Sequence, residues 1–195
     1  MAVSEIARRD FLRQSATAVS AIWITAALGE LAGLSALSCA PAKAKTSWQT
    51  FSDVDAADVE AIAAQIIPTD ETPGAREACV IEFIDRALNG FAKEQRPLFD
   101  RGLADLRSRV SAAHPGKQSF AELDTQQQAT LLHTLERSKS DFFSAMLAAT
   151  AAGMFANPDY GGNRDKIGWK LIGFEDRFFW QAPFGYYDRD EAAHA

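Results

Sequence analysis

The sequence predicts an all-α fold: a single compact helical domain over residues 45–195, preceded by a cleavable leader over 1–44 and ending in an irregular, aromatic-rich segment. Three observations carry this. Apolar residues recur at helical spacing from about position 55 to 155, no run alternates β-branched residues as a strand does, and proline or glycine falls where each apolar stripe stops.

The leader comes first. Ala7-Arg8-Arg9-Asp10-Phe11-Leu12-Arg13 has the pattern of a twin-arginine export signal: two arginines, a bulky Phe11-Leu12 pair and a further basic residue before a moderately apolar stretch. That stretch, 15–37, is rich in Ala, Ser, Thr and Gly and is interrupted by Glu30, so it is less apolar than a membrane span. Ala42-Lys43-Ala44 supplies a small-x-small cleavage site, giving a mature chain from Lys45. A lipobox ending at Cys39 is the alternative, weakened by Ala36 where a larger aliphatic residue is usual.

Within the domain, a first helix over 55–67 aligns Val59, Ile62, Ile66 and Ile67 and stops at Pro68. Thr72 can cap and Pro73 fits a first turn, so a second helix is expected from there to Asn89-Gly90, with Val80, Ile84, Ala87, Leu88 and Phe91 as its stripe. A third, over 94–113, buries Leu98, Phe99, Leu103, Leu106 and Val110 and closes at His114-Pro115-Gly116. Ser119 to Glu122 has the form of a capping box opening a short turn, and Asp124 can cap a helix carrying Leu131, Leu132 and Leu135. A helix over 141–155 is apolar on most sides, which places it centrally or against a partner. From Tyr160 the composition is that of a loop followed by eight aromatic side chains between Trp169 and Tyr187 without period. Such a segment packs onto something, either the domain's own helices or an interface.

Composition narrows function. Removing 1–44 takes four of the 20 basic and three of the 26 acidic residues, leaving a formal charge of −7. A nucleic-acid partner is disfavoured, because phosphate binding needs clustered positive charge. Only Cys79 survives maturation, so the exported chain forms no internal disulfide; its thiol is either a small core group or one half of an intersubunit bridge. Metal ligands are sparse: His114 and His133 lie within the domain, His194 at its end, and His133 with Glu136 reads as a solvated helix face. Motifs for covalent haem, iron–sulfur clusters, dinucleotides and the G-x-S-x-G nucleophile are missing. Asp53, Asp55 and Asp58 could be taken for a catalytic carboxylate set, but their spacing suits first-turn helix charges. A route that exports folded, commonly cofactor-bearing proteins is thus paired with a chain that has no cofactor motif. A small helical protein whose signal serves a cofactor-bearing partner satisfies both facts.

Two stretches resemble a known family. Residues 58–75, Asp-Val-Glu-Ala-Ile-Ala-Ala-Gln-Ile-Ile-Pro-Thr-Asp-Glu-Thr-Pro-Gly-Ala, leading into Val80-Ile81-Glu82-Phe83-Ile84-Asp85, resemble the opening of gluconate 2-dehydrogenase subunit 3 proteins. Tyr160-Gly161-Gly162-Asn163-Arg164-Asp165-Lys166-Ile167-Gly168-Trp169-Lys170-Leu171-Ile172-Gly173-Phe174 resembles their C-terminal signature. The resemblance implies the small, non-catalytic subunit of a membrane-associated sugar or polyol dehydrogenase, which has no cofactor of its own. Its large subunit is an FAD-dependent protein of the glucose-methanol-choline type, and a cytochrome c subunit bearing haem often passes electrons onward. The small subunit is thought to carry the large one across the membrane and aid its maturation, which makes the chain periplasmic and membrane-associated through the complex. On this reading Arg8, Arg9, Phe11 and Leu12 address the twin-arginine translocase. Gly161, Gly162, Asn163, Arg164, Asp165 and Trp169 contact the flavoprotein, or else cap their own domain, and Cys79 is a candidate intersubunit bridge. A free-standing periplasmic enzyme, or a binding or scaffold protein without a dehydrogenase partner, are the competing classes. Substrate specificity would be set in the large subunit.

Overall fold

Ser52 opens the first helix, and the reason is local. Its hydroxyl accepts the Asp55 N–H while the Asp55 carboxylate accepts the Ser52 N–H, a reciprocal box that satisfies two backbone donors at once. The helix α1 therefore spans Asp53–Ile66, two residues earlier than the apolar stripe alone indicates. The computed structural model describes residues 47–177 and 179; the twin-arginine leader, Cys39, the 42–44 cleavage site and the tail from Trp180 lie outside them.

Five further helices follow: α2 Val80–Asn89, α3 Arg96–Ala113, α4 Thr125–Arg137, α5 Asp141–Phe155 and α6 Ile167–Ile172, with no strand among the described residues. The all-helical expectation holds there, and α5 matches the 141–155 expectation residue for residue. Asp124 caps α4 as expected, pairing reciprocally with Gln127. Four details differ. α2 does not start at Thr72: that residue donates its N–H to the Asp70 carboxylate, and the Glu77 carboxylate accepts the Gly74 N–H and the Thr69 hydroxyl, so side chains hold 68–79 as turns. Cys79 then stands in the left-handed region at φ 53°, and α2 begins one residue later. α3 starts at Arg96 with Pro97 in its first turn, after a separate 3₁₀ turn over Lys93–Gln95. The turn Phe120–Glu122 forms, but Ser119 does not cap it through its side chain. Finally, the aromatic segment contains regular structure, the two-turn helix α6, which carries Trp169.

α5 is the hub. It packs against every other helix among the described residues, most extensively α2, and eight of its residues from Phe142 to Met154 are buried, as an all-round apolar helix requires. Ile62, Ile84, Leu88, Phe99 and Leu106 are fully enclosed in the core around it, as is its own Met154. Phe99 and Phe142 meet edge to face, centroids 5.9 Å apart, which fixes α3 against α5.

The first described stretch is clasped to the middle of the chain. Asp85, buried on α2, accepts the N–H groups of Gln49 (2.8 Å), Thr50 (2.9 Å) and Phe51 (3.2 Å), while the Thr50 hydroxyl donates to the Asp85 carbonyl. The Asn89 amide donates to the Gln49 side chain, and Phe51 is buried. Asp85→Ala strands three donors and is expected to cost about 2 kcal/mol in urea denaturation. Limited proteolysis should then cut first within 47–52; unaltered protection of that stretch would show that the clasp does not hold it.

Candidate docking site

The C-terminal signature is built by close backbone approach. Gly162 lies against the carbonyl of Gly153, and Gly168 against that of Met154, so tightly that a Cβ at either position would overlap main-chain oxygen. The glycines thus let 161–168 settle directly on the C-terminal turns of α5. Asn163, fully buried at φ 46°, fastens the contact: its N–H donates to the Gly153 carbonyl (2.8 Å) and its side-chain amide to the Ala156 carbonyl (2.8 Å). Its side-chain oxygen accepts the Gly168 N–H (2.8 Å). An asparagine fits here because it offers donor and acceptor together and tolerates the left-handed region.

Arg164 and Trp169 also turn toward the domain. The Arg164 guanidinium donates to the Glu82 carboxylate on α2 at 2.6 Å, not to the adjacent Asp165, and the Arg164 backbone N–H donates to the Ala78 carbonyl. The Trp169 indole N–H donates to the Phe155 carbonyl, capping the end of α5. Asp165 and Lys166 follow at φ 56° and 58° and are exposed, so three of four consecutive residues occupy the left-handed region. That geometry turns the chain into α6, whose outer side shows Ile172, followed by Phe174 lying against Trp169 (centroids 5.0 Å) and by Phe179. Of the residues assigned to partner contact, Gly162 and Asn163 are buried, Gly161, Arg164 and Trp169 are half-buried, and Asp165 is exposed.

Cys79 sits beside this mount. It is half-buried and forms no disulfide among the described residues. Burial pushes its thiol up to about 11, opposed by the Arg164 charge, so it is protonated at neutral pH.

The aspartates near the start of α1 have structural partners. Arg107 of α3 donates to both Asp55 and Asp58, and Asp58, fully buried, also accepts the Ala121 N–H at 2.9 Å. Asp58 is therefore not a first-turn charge; it ties α1 to α3 and to the turn Phe120–Glu122. Burial works against the Asp55 charge, but hydrogen bonds from Ser52 and Arg107 win and hold its carboxyl below the usual range. His133 and Glu136 pair at 3.3 Å on an exposed face of α4. No group of three or more His, Cys, Asp or Glu suited to a metal occurs among the described residues, and no helix there is long and apolar enough to cross a membrane.

Asn163 and Trp169 hold this segment to α5 and Arg164 holds it to α2, Ile167 and Leu171 pack against the core, and Ile172 and Phe174 face outward. Sequence reasoning missed the buried roles of Asp58 and Asp85 and the exposure of Ile172. No curated protein and no solved structure matches the chain. The sequence profile of the family described as gluconate 2-dehydrogenase subunit 3 matches residues 53–176, from the first turn of α1 to just beyond α6. With that match spanning all six helices and the signature mount, the chain belongs to the gluconate 2-dehydrogenase subunit 3 family.

Proposed function

We propose that this chain is the non-catalytic small subunit of a periplasmic FAD-dependent sugar or alcohol dehydrogenase of the glucose-methanol-choline type, and that its leader exports the folded flavoprotein with it. The observation that carries the reading is the family match over 53–176, since a third subunit of a dehydrogenase implies companions. The Arg8-Arg9-Asp10-Phe11-Leu12 pattern supports the export role, because that route accepts folded cargo. FAD belongs to the large subunit, haem c to a cytochrome subunit where one is present, and no residue here is assigned to either. The contribution of this chain is to bind its partner, stabilise it and carry the address that the translocase reads.

Changing Arg8 and Arg9 together to Lys tests this in cells producing both subunits. Charge is kept while the paired guanidinium groups are lost, so periplasmic flavoprotein should fall by about tenfold or more and accumulate in the cytoplasm. Flavoprotein reaching the periplasm undiminished would end the carrier role.

A further inference from the structure

Asn89-Gly90 is the one Asn-Gly pair in the sequence; Asn157 precedes a proline, and Asn163, fully buried, precedes an arginine. The pair carries a chemistry of its own. A glycine leaves its backbone nitrogen unshielded by a Cβ and free to turn toward the preceding side chain, so that nitrogen can attack the asparagine amide carbon. The fold sets this pair at an exposed corner and then restrains both reacting groups. Asn89 is the last residue of α2, and its side-chain amide donates to the Gln49 side-chain oxygen at 2.9 Å. The Gly90 N–H donates to the carbonyls of Arg86 (3.0 Å) and Ala87 (3.1 Å), which closes the helix. Gln49 is itself held through its backbone N–H by Asp85, one turn back on α2. The amide to be attacked is thus tied to the clasp, and the attacking nitrogen to the end of the helix that the clasp grips.

We propose that Asn89 is a self-modification site, a deamidating residue gated by the 49–51 clasp, whose conversion in turn releases that clasp. When the last turn of α2 opens, the Gly90 nitrogen gives up its proton to solvent and bonds to the Asn89 Cγ. The Cγ–Nδ2 bond breaks and that nitrogen departs as ammonia, leaving a succinimide. Water then adds to either ring carbonyl and yields aspartate or isoaspartate, with no change of oxidation state. Aspartate places a second carboxylate one turn from Asp85, where like charges repel, and at a helix C-terminus, where negative charge is unfavourable. Isoaspartate carries the main chain through Cγ, so the Gly90 N–H is drawn off the Arg86 and Ala87 carbonyls that close α2. Either product loosens the hold on 49–51, and neither reverts when the chain refolds. The device is a one-way release, slow while the clasp is shut.

The test is timed incubation of the purified full chain at mildly alkaline pH, with peptide mass spectrometry reading conversion of Asn89 to its acid. The folded chain should convert at least about tenfold more slowly than the same chain in urea, because the reaction waits on local opening. Gln49→Ala frees the amide and should raise the folded rate several-fold; Gln49 is exposed, so the helical far-ultraviolet spectrum should not change. Asp85→Ala removes the clasp altogether and should raise the rate by about tenfold. Chain aged to half conversion should then be cut within 47–52 several-fold faster than fresh chain. Equal rates with and without urea, no conversion at Asn89 even in urea, or Gln49→Ala and Asp85→Ala rates equal to wild type would each overturn the gate. Equal proteolysis of aged and fresh chain would overturn the release.

Discussion

Replacing Arg107 with alanine is expected to lower the unfolding free energy by about 3 kcal/mol, the lower end of the range for breaking a buried ion pair. The loss is large because Asp58 has no solvent exposure: without the guanidinium its carboxylate keeps one hydrogen bond, from Ala121, and no opposing charge. An exposed pair such as Arg109 with Asp105 should cost under about 1 kcal/mol by the same measurement. The pH dependence has a definite sign. The folded pKa of Asp55 lies below its ordinary value of 3.8, so its contribution is present above that value and is lost as pH falls through the folded one. The gap between wild type and Arg107→Ala should therefore narrow in acid. Urea denaturation at neutral pH and near pH 3 reads both effects. A neutral-pH difference under about 1 kcal/mol would mean that the cluster behaves as a surface bridge. Changing both partners, as Asp58→Leu with Arg107→Met, should recover much of the loss, since the penalty lies in the stranded charge.

Gly168→Ala should act differently, releasing one element and sparing the rest. The new Cβ would overlap the Met154 carbonyl, and main chain on both sides leaves no rotamer to relieve it, so the contact is expected to lose about 3 kcal/mol. α6 is short and is held to α5 by this approach, by Asn163 and by the Trp169 hydrogen bond, so it should detach locally. Hydrogen exchange is the measurement: amides of 163–172 should lose protection while those of α1 to α5 keep theirs. Protection over 163–172 equal to wild type would contradict the account.

The helices were legible where periodicity and punctuation agreed. α5 announced itself by apolar residues on every side, and α4 by Asp124 and Gln127 at capping distance. The start of α2 was misread because Thr72-Pro73 has the composition of a helix opening, and nothing in the local sequence says that Asp70 and Glu77 will claim the same backbone amides. Asp85 could have been found: Ile81, Ile84, Asp85 and Leu88 fall at the spacing of one buried helix face, so a carboxylate there must meet donors from elsewhere. Asp58 offers the same signal beside Ala61 and Ile62. Their partners, 34 to 63 positions away, are set by tertiary packing and leave no trace in spacing. In the signature, glycine composition signals close backbone approach, and the carbonyls that Gly162 and Gly168 approach, those of Gly153 and Met154, are set by tertiary packing.

The Asp85 clasp also has a mechanical meaning. Tension applied at the leading end of the chain reaches the Asp85 carboxylate at residues 49–51 before it reaches α1. The load passes sideways into α2 and from there into the hub helix α5, so α1 is not peeled away turn by turn. A body drawn by its front end through a confined passage would be hauled from its middle, with its first helix slack.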